Sequence, residues 1–364
     1  RRHLQPVLPR KMSAMARRFL LVINPAAAAS RDQSARLERL VARLQSGGTE
    51  VVRRPTQGPL DAIRLARASE GFDVVVAVGG DGTISEAGNG FFDLSEDGCT
   101  QVAPNALMAI IPAGTGNDLA RGLGGEVAQS TDDWLELLVA FFDQTVPEHR
   151  RLIVADAIDV IYGTSDGGAN RFVALNASTL GLGPQATGLV AEQPKFLHVL
   201  PGSIRFVLAA VVGLARWRER FVKVTADNGI PLTCQTNLLG VCNSRYAGGG
   251  MMLAPGARSD DGVMDLLLAC GLTRAGIARE LLRIHRGGHL ENPCVRVSTA
   301  TEVRIESQTD ADVLMVEADG NLRGRTPVTY RLIPKALRLL RPDLRYAEIE
   351  VTELPLENLC APPA

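Results

Sequence analysis

A ten-residue stretch constrains this chain more than any other: Val74-Val75-Val76-Ala77-Val78-Gly79-Gly80-Asp81-Gly82-Thr83. An apolar, largely β-branched run with no polar residue inside it reads as a strand buried on both faces, the pattern of a parallel sheet. Three glycines follow, and they let a backbone approach a bulky anion closely. Thr83 with Glu86 three residues on is a capping-box pattern, which predicts a helix opening at Thr83. Strand, glycine turn and helix N-terminus aim several backbone N–H groups and the positive end of a helix dipole at one point, an arrangement suited to phosphate. The turn carries one carboxylate, Asp81, and lacks the lysine of a P-loop, so alone it is equally compatible with an ordinary tight turn in an α/β sheet.

The segments on either side repeat the theme. Residues 19–23 read as a first buried strand, and Asn24-Pro25 ends it in a loop of small residues. Ser30 with Gln33 is a second capping-box pattern, followed by Leu37, Leu40, Val41 and Leu44 at helical spacing. A short strand at Val51-Val52 leads through Thr56 into a helix over 60–68. Another buried strand, 106–111, runs into Pro112-Ala113-Gly114-Thr115-Gly116-Asn117-Asp118, a second glycine-rich turn before a helix. The β-α-β-α order predicts a parallel sheet, and in open α/β sheets ligands sit beyond the carboxyl ends of the strands, where all three loops fall. After a helix over 133–142 the character changes. From Arg151 short β-rich segments dominate, at 152–160, 171–175, 221–226, 236–241, 263–269, 303–306, 313–317 and 327–332, with helical patterning only at 204–215 and 275–284.

The predicted fold class is therefore an α/β N-terminal domain with a parallel sheet, followed by a mostly antiparallel β domain, with the boundary near Pro147. Its 364 residues suit two domains, divided as a disordered 1–15, a first domain at 16–147, a second at 148–342 and a tail at 343–364. Lys and Arg number 39 against 40 Asp and Glu, which argues against nucleic acid as a partner. Six cysteines are scattered without a CxxC pair or histidines at ligand spacing and read as reduced thiols. The basic first fifteen residues lack the apolar core of a signal peptide, and the longest apolar run, 206–215, falls short of the roughly 20 residues that span a bilayer. The expected location is cytoplasmic, with at most peripheral membrane contact.

Val78-Gly79-Gly80-Asp81-Gly82-Thr83 and, more specifically, Ile111-Pro112-Ala113-Gly114-Thr115-Gly116-Asn117-Asp118-Leu119-Ala120-Arg121 resemble the two loops of the diacylglycerol kinase catalytic-domain family, which includes soluble bacterial diacylglycerol kinases, sphingosine kinases and ceramide kinase. NAD kinases and phosphofructokinases share the first loop, and NAD kinases lack the second. Asn176-Ala177-Ser178-Thr179-Leu180-Gly181-Leu182-Gly183, Gly248-Gly249-Gly250 through Ala254-Pro255, and Asp260-Asp261-Gly262-Val263-Met264-Asp265 resemble the family's β-domain motifs in order, so the resemblance covers about 19–342. It implies a Rossmann-like three-layer nucleotide domain, a β-sandwich and an active site in the cleft between them. It also implies an ATP- and Mg-dependent transfer of the γ-phosphate to a hydroxyl of a diacylglycerol-like or sphingoid lipid at a membrane surface, and leaves a homodimer open.

By the same resemblance the backbone of residues 79–83 holds phosphates, and Asn24, Pro25, Thr56, Gly114, Thr115 and Asn117 complete the nucleotide site. Asp118 is a candidate for the metal's water shell, against a plain helix first-turn role. Asp261 matches a structural magnesium position with the carbonyls of Arg258 and Val263, against a plain Asp-Gly turn. Two departures stand out. The first loop reads Asn24-Pro25-Ala26-Ala27-Ala28-Ala29-Ser30 where the family usually carries a Ser-Gly, and the late Asp-Gly-Glu motif reads Asp319-Gly320-Asn321. The glutamate assigned in bacterial relatives as proton acceptor is thus an asparagine, which hydrogen-bonds a hydroxyl but cannot take its proton at neutral pH. Asp81 or Asp319 is then the expected base. The competing readings are a catalytically weakened lipid-binding or regulatory protein of the same fold and, less favoured, an NAD kinase-like enzyme. Arg216, Arg218, Arg220 and Lys223 read as a solvated face rather than a lipid headgroup site, and 206–214 as core.

Overall fold

Alternation within the first strands sorts their side chains into two cores. The computed structural model describes residues 18–27, 31–95, 98–102, 106–125, 130–142, 152–191 and 212–342. Strands β1 (Arg18–Ile23), β2 (Glu50–Pro55), β3 (Val74–Gly79) and β4 (Leu107–Pro112) pair in parallel in the order β2-β1-β3-β4. Successive strand residues face opposite sides of a sheet. Phe19, Leu21, Val74, Val76 and Ala109 therefore pack with Leu37, Leu40, Val41 and Leu44 of α1 (Arg31–Ser46). Leu20, Val22, Val75, Ala77, Met108 and Ile110 pack with Ala62, Leu65 and Ala66 of α2 (Asp61–Arg67) and with Ile84 and Ala87 of α3 (Asp81–Asn89). Each large side chain so buried contributes roughly 1.5–3 kcal/mol. Helices α4 (Asp118–Gly124) and α5 (Thr131–Phe142) complete the α/β domain.

The β-rich half is a mostly antiparallel β-sandwich. Its strands are β5 (Leu152–Gly163), β6 (Ala169–Ala174), β7 (Ala177–Gly181), β8 (Arg220–Ala226), β9 (Leu232–Cys242), β10 (Met264–Cys270), β11 (Val295–Ala300), β12 (Glu302–Ser307), β13 (Met315–Ala318) and β14 (Asn321–Leu340). They run β11-β10-β9-β8-β12-β14, with β7 bridging β9 and β13. Helix α6 (Leu182–Ala191) packs on β7, and α7 (Arg274–Arg283) follows β10.

Two long strands belong to both cores. Ile153, Ala155 and Ala157 of β5 and Ala336, Leu337 and Leu339 of β14 pack in the α/β domain, whereas Ile158, Val160, Val328 and Tyr330 pack in the sandwich. The end of β14 lies parallel to β4, with Arg338 opposite Leu107. Where β14 changes core its register shifts between Ile333 and Leu337, and Lys335 takes a left-handed φ of 53°. Asp156 holds this switch, accepting from Lys335 N at 2.7 Å and Gly262 N at 2.8 Å. The cores thus interlock beyond Pro147, which itself lies outside the described residues.

Three sequence expectations change. Helix α3 opens at Asp81 with Gly80 as its N-cap, two residues before the capping-box pattern predicts, because the Thr83 hydroxyl is engaged by Asn24 instead of capping. Strands at Ala177–Gly181 and Val295–Ala300 are additions to the expected set; small and hydroxyl residues mute the apolar signal of the first, and the second has only two large apolar side chains. The final strand is 20 residues long rather than the predicted 327–332. Ser30, most of 204–215 and the tail after 342 lie outside the described residues.

Candidate active site

The parallel strands end level with one another, Ile23 opposite both Pro55 and Val78, and Gly79 opposite Pro112. The loops leaving that edge are tied together. Thr56 N donates to Ile23 O at 2.8 Å and Asn24 N to Val78 O at 2.9 Å. The Asn24 side chain accepts from Ala26 N at 3.0 Å and donates to Thr83 Oγ1 at 3.1 Å, which latches the exposed Pro25 turn onto the first glycine loop.

The two glycine loops touch backbone to backbone. A Cβ on Gly114 would stand 2.6 Å from Gly80 Cα, and one on Gly79 would stand 2.6 Å from Thr83 Cβ, so close approach demands these glycines. Asn117, at a left-handed φ of 53°, closes the second loop: its amide accepts from Gly114 N and donates to Gly114 O, both at 3.0 Å. Thr115 is left exposed at the tip.

Two carboxylates, the half-buried Asp81 and the buried Asp118, stitch the loops to one another and to the sandwich. Asp81 accepts from Asn117 N and Asp118 N, both at 2.7 Å. Burial, then the neighbouring Asp118 charge, pushes its pKa up to about 6. Asp118 in turn accepts from Gly249 N at 2.8 Å and Gly250 N at 2.6 Å, and burial raises its pKa. Gly249 and Gly250 sit at φ of 86° and 99°, a left-handed backbone that aims both N–H groups at one carboxylate. Asp118 is therefore a cross-domain tie.

A third anchor positions the Asp319-Gly320-Asn321 turn. Asp319 accepts from Ser85 Oγ at 2.5 Å, Leu175 N at 2.9 Å, Asn176 N at 3.0 Å and Ala177 N at 3.2 Å. With four donors on one carboxylate, Asp319 is spent on structure, which corrects its reading as an alternative base. Glu317 was not singled out by sequence, because one carboxylate in a strand reads as a solvated position. It is buried, accepts from Thr179 Oγ1 at 2.5 Å and from Gly320 N, and burial pushes its pKa up to about 7. The turn so held carries Asn321 to the first loop: a Cβ built on Gly82 would lie 3.5 Å from Asn321 Nδ2.

The residues expected to hold metal form a less complete set. Among the described residues no three His, Cys, Asp or Glu side chains group to hold an ion. Asp261 accepts from Val263 N at 3.3 Å, while Arg258 pairs with Asp260 at 3.3 Å. A hard cation at this turn would depend on backbone carbonyls and water. Near the glycine loops, both oxygens of Asp81 and of Asp118 already accept backbone N–H groups, so these acids fit a magnesium ion through its water shell.

No helix among the described residues is long and apolar enough to cross a membrane. Residues 18–142 match the model of the diacylglycerol kinase catalytic domain, and residues 183–341 that of the YegS C-terminal NAD kinase beta sandwich-like domain. The chain is 28% identical over 308 residues to a diacylglycerol kinase of Mycobacterium tuberculosis, covering 83% of this chain and 88% of that one. It is 30% identical over 312 residues to a Pseudomonas aeruginosa protein named "Probable lipid kinase YegS-like", again covering 83% and 88%. A crystal structure of a diacylglycerol kinase from Bacillus anthracis superposes with a TM-score of 0.62 at 20% identity, covering 89% of this chain and 96% of that one. With both halves matched in order, the chain belongs to the diacylglycerol kinase catalytic-domain family of lipid kinases.

Proposed function

We propose that the chain moves the γ-phosphate of ATP, with magnesium, onto a hydroxyl of a diacylglycerol-like or sphingoid lipid met at a membrane surface. The observation that carries this reading is the junction of Gly80 with Gly114, braced by Asp81 and faced by Asn321. In this reading residues 16–147 form a Rossmann-like ATP-binding domain and 148–342 the acceptor domain. Peripheral membrane contact from the cytoplasmic side follows from a lipid acceptor.

Backbone N–H groups of residues 79–83 at the start of α3 hold the phosphates, with Asn24, Thr56, Thr115 and Asn117 shaping the nucleotide site. Magnesium, when bound, neutralises phosphate charge, with Asp81 and Asp118 acting on its water shell. Asn321 orients the acceptor hydroxyl by hydrogen bonding. Asp81, ionised at neutral pH, takes the hydroxyl proton through a lone pair its backbone donors leave free. The hydroxyl oxygen bonds to the γ-phosphorus as the bond to the bridging oxygen breaks, and ADP leaves.

Transfer of labelled phosphate from ATP across a panel of lipids, with Asp81→Asn as control, tests this reading. Transfer to a lipid alcohol is expected; none to any lipid despite ATP binding would overturn it. Asn321 also favours a second reading, a weakened lipid-binding protein. Asn321→Glu separates the two: little change in turnover supports Asp81 as base, and a large gain shows that the native chain lacks one.

A further inference from the structure

Beside the Asp319-Gly320-Asn321 turn, two guanidinium nitrogens of Arg323 have no hydrogen-bond partner among the described residues. Opposite β13, Glu317 pairs with Leu322 and Val316 with Gly324, so Arg323 is the extra residue of a β-bulge two positions past Asn321. Bulges re-aim side chains and gather beside active sites. The Arg323 guanidinium carbon stands 3.4 Å from the centroid of the Phe172 ring, and Nε and Nη2 are buried without a hydrogen-bond partner. The ring face steadies the cation but offers no acceptor to the N–H groups in its plane. Burial accordingly lowers its pKa.

The carboxylates whose charge reaches Arg323 are Asp319, Glu86 and Glu317, with the Tyr162 hydroxyl beside them. Asp319 and Glu317 are already committed to the turn. Glu86 lies one helical turn beyond Gly82 on α3 and forms no ion pair with Arg323. Position 321, two residues before Arg323, holds a neutral amide.

We propose that Arg323 receives an anionic group of the acceptor lipid, a phosphate or carboxylate close to the hydroxyl that is phosphorylated, so that anionic glycerolipids are favoured over neutral ones. This rests on the lipid-kinase reading and names its acceptor class. A guanidinium fork matches such oxyanions with two parallel hydrogen bonds. The lipid's anion would fill the role of the missing counter-charge, while its hydroxyl lies against Asn321.

The test compares a 1-acylglycerol with its 3-phosphate, which share a free 2-hydroxyl, in phosphatidylcholine vesicles with the full chain. A third arm adds phosphatidic acid, which has a phosphate and no hydroxyl, to the neutral acceptor; a fourth adds inorganic phosphate. The phosphate-bearing acceptor is expected to show about 10–100-fold higher kcat/KM. Arg323→Gln should erase that preference through KM and leave the neutral acceptor unchanged, and Arg323→Lys should restore part of it. Equal use of the two acceptors, or stimulation by phosphatidic acid or inorganic phosphate alone that Arg323→Gln abolishes, would overturn the assignment. So would equal loss of thermal stability in Arg323→Gln and Glu86→Gln with lipid preference intact, since Glu86 would then be the partner. Transfer to neither acceptor nor to any other lipid would overturn the lipid-kinase reading itself, and this inference with it.

Discussion

Asp81 has two tasks that pull in different directions. Its carboxylate sits half-buried between the loops, where it accepts the Asn117 and Asp118 N–H groups, yet it must be charged to take a proton. Those two donors favour the charged form, while burial and Asp118 oppose it and leave a pKa of about 6. Asp81→Asn is expected to lower kcat by at least about 100-fold while ATP binding persists, read by single-turnover transfer and calorimetry. The wild-type rate should rise with pH through about 6 and level off above it; an undiminished rate near pH 4.5 would exclude Asp81 as base. Glu317 gives a stability signature instead. Its folded pKa of about 7 exceeds the unfolded value, so the folded state keeps a proton that the unfolded state has released. Its stability contribution is full below about pH 4.3, falls as pH rises to 7 and is lost above. Glu317→Gln can still accept from Gly320 N and should flatten this slope, stabilising the protein at pH 8 by roughly 1–3 kcal/mol in urea titrations.

At the scale of elements, the site is a contact between two turns. Gly80 and Gly114 approach so closely that a methyl group on either must push the other loop away. Gly114→Ala is expected to cost about 1–3 kcal/mol of stability and to weaken ATP binding at least tenfold, whereas Gly58→Ala, at a position open on all sides, should do neither. Matching melts and ATP affinities for the two variants would show that the loops need not touch. Helix α3 opens at Asp81, which leaves the Thr83 hydroxyl to accept from Asn24 and latch the Pro25 turn onto the first glycine loop.

Across the whole molecule, Asp81, Asp118 and the Gly249-Gly250 backbone form one chain of hydrogen bonds from the α/β edge into the sandwich. Strands β5 and β14, each shared by the two cores, make the same connection through the sheet. A single cooperative unfolding transition is expected, with tryptophan fluorescence from Trp134 and Trp217, one in each half, melting together. Asp118→Ala should keep that single transition, because the strands still cross, and yet reduce kcat/KM at least tenfold by freeing the Gly249-Gly250 backbone from the second glycine loop. Separate transitions for the two halves would show that the shared strands do not couple them.

The sequence alone determined the parts whose signal is local. Buried strands, glycine turns and helix faces are written in residue order, so the three loops at one sheet edge and the change to β structure near 150 were legible, and the second glycine loop with the β-domain motifs pointed to the family. Tertiary structure alone decided how distant carboxylates share the work. Asp118 reads as a candidate for a metal's water shell or as a helix first-turn acid, and only the fold brings Gly249 and Gly250, more than a hundred residues away, to present their N–H groups to it. Asp319 reads as a free base until Ser85, Leu175, Asn176 and Ala177 occupy it. Glu317 and Arg323 carry no signal in the sequence; in the fold, burial raises the Glu317 pKa and leaves two Arg323 nitrogens without a hydrogen-bond partner. A carboxylate's role depends on the donors that fold around it, and those donors are mostly backbone N–H groups, which every residue but proline carries and no side-chain pattern announces.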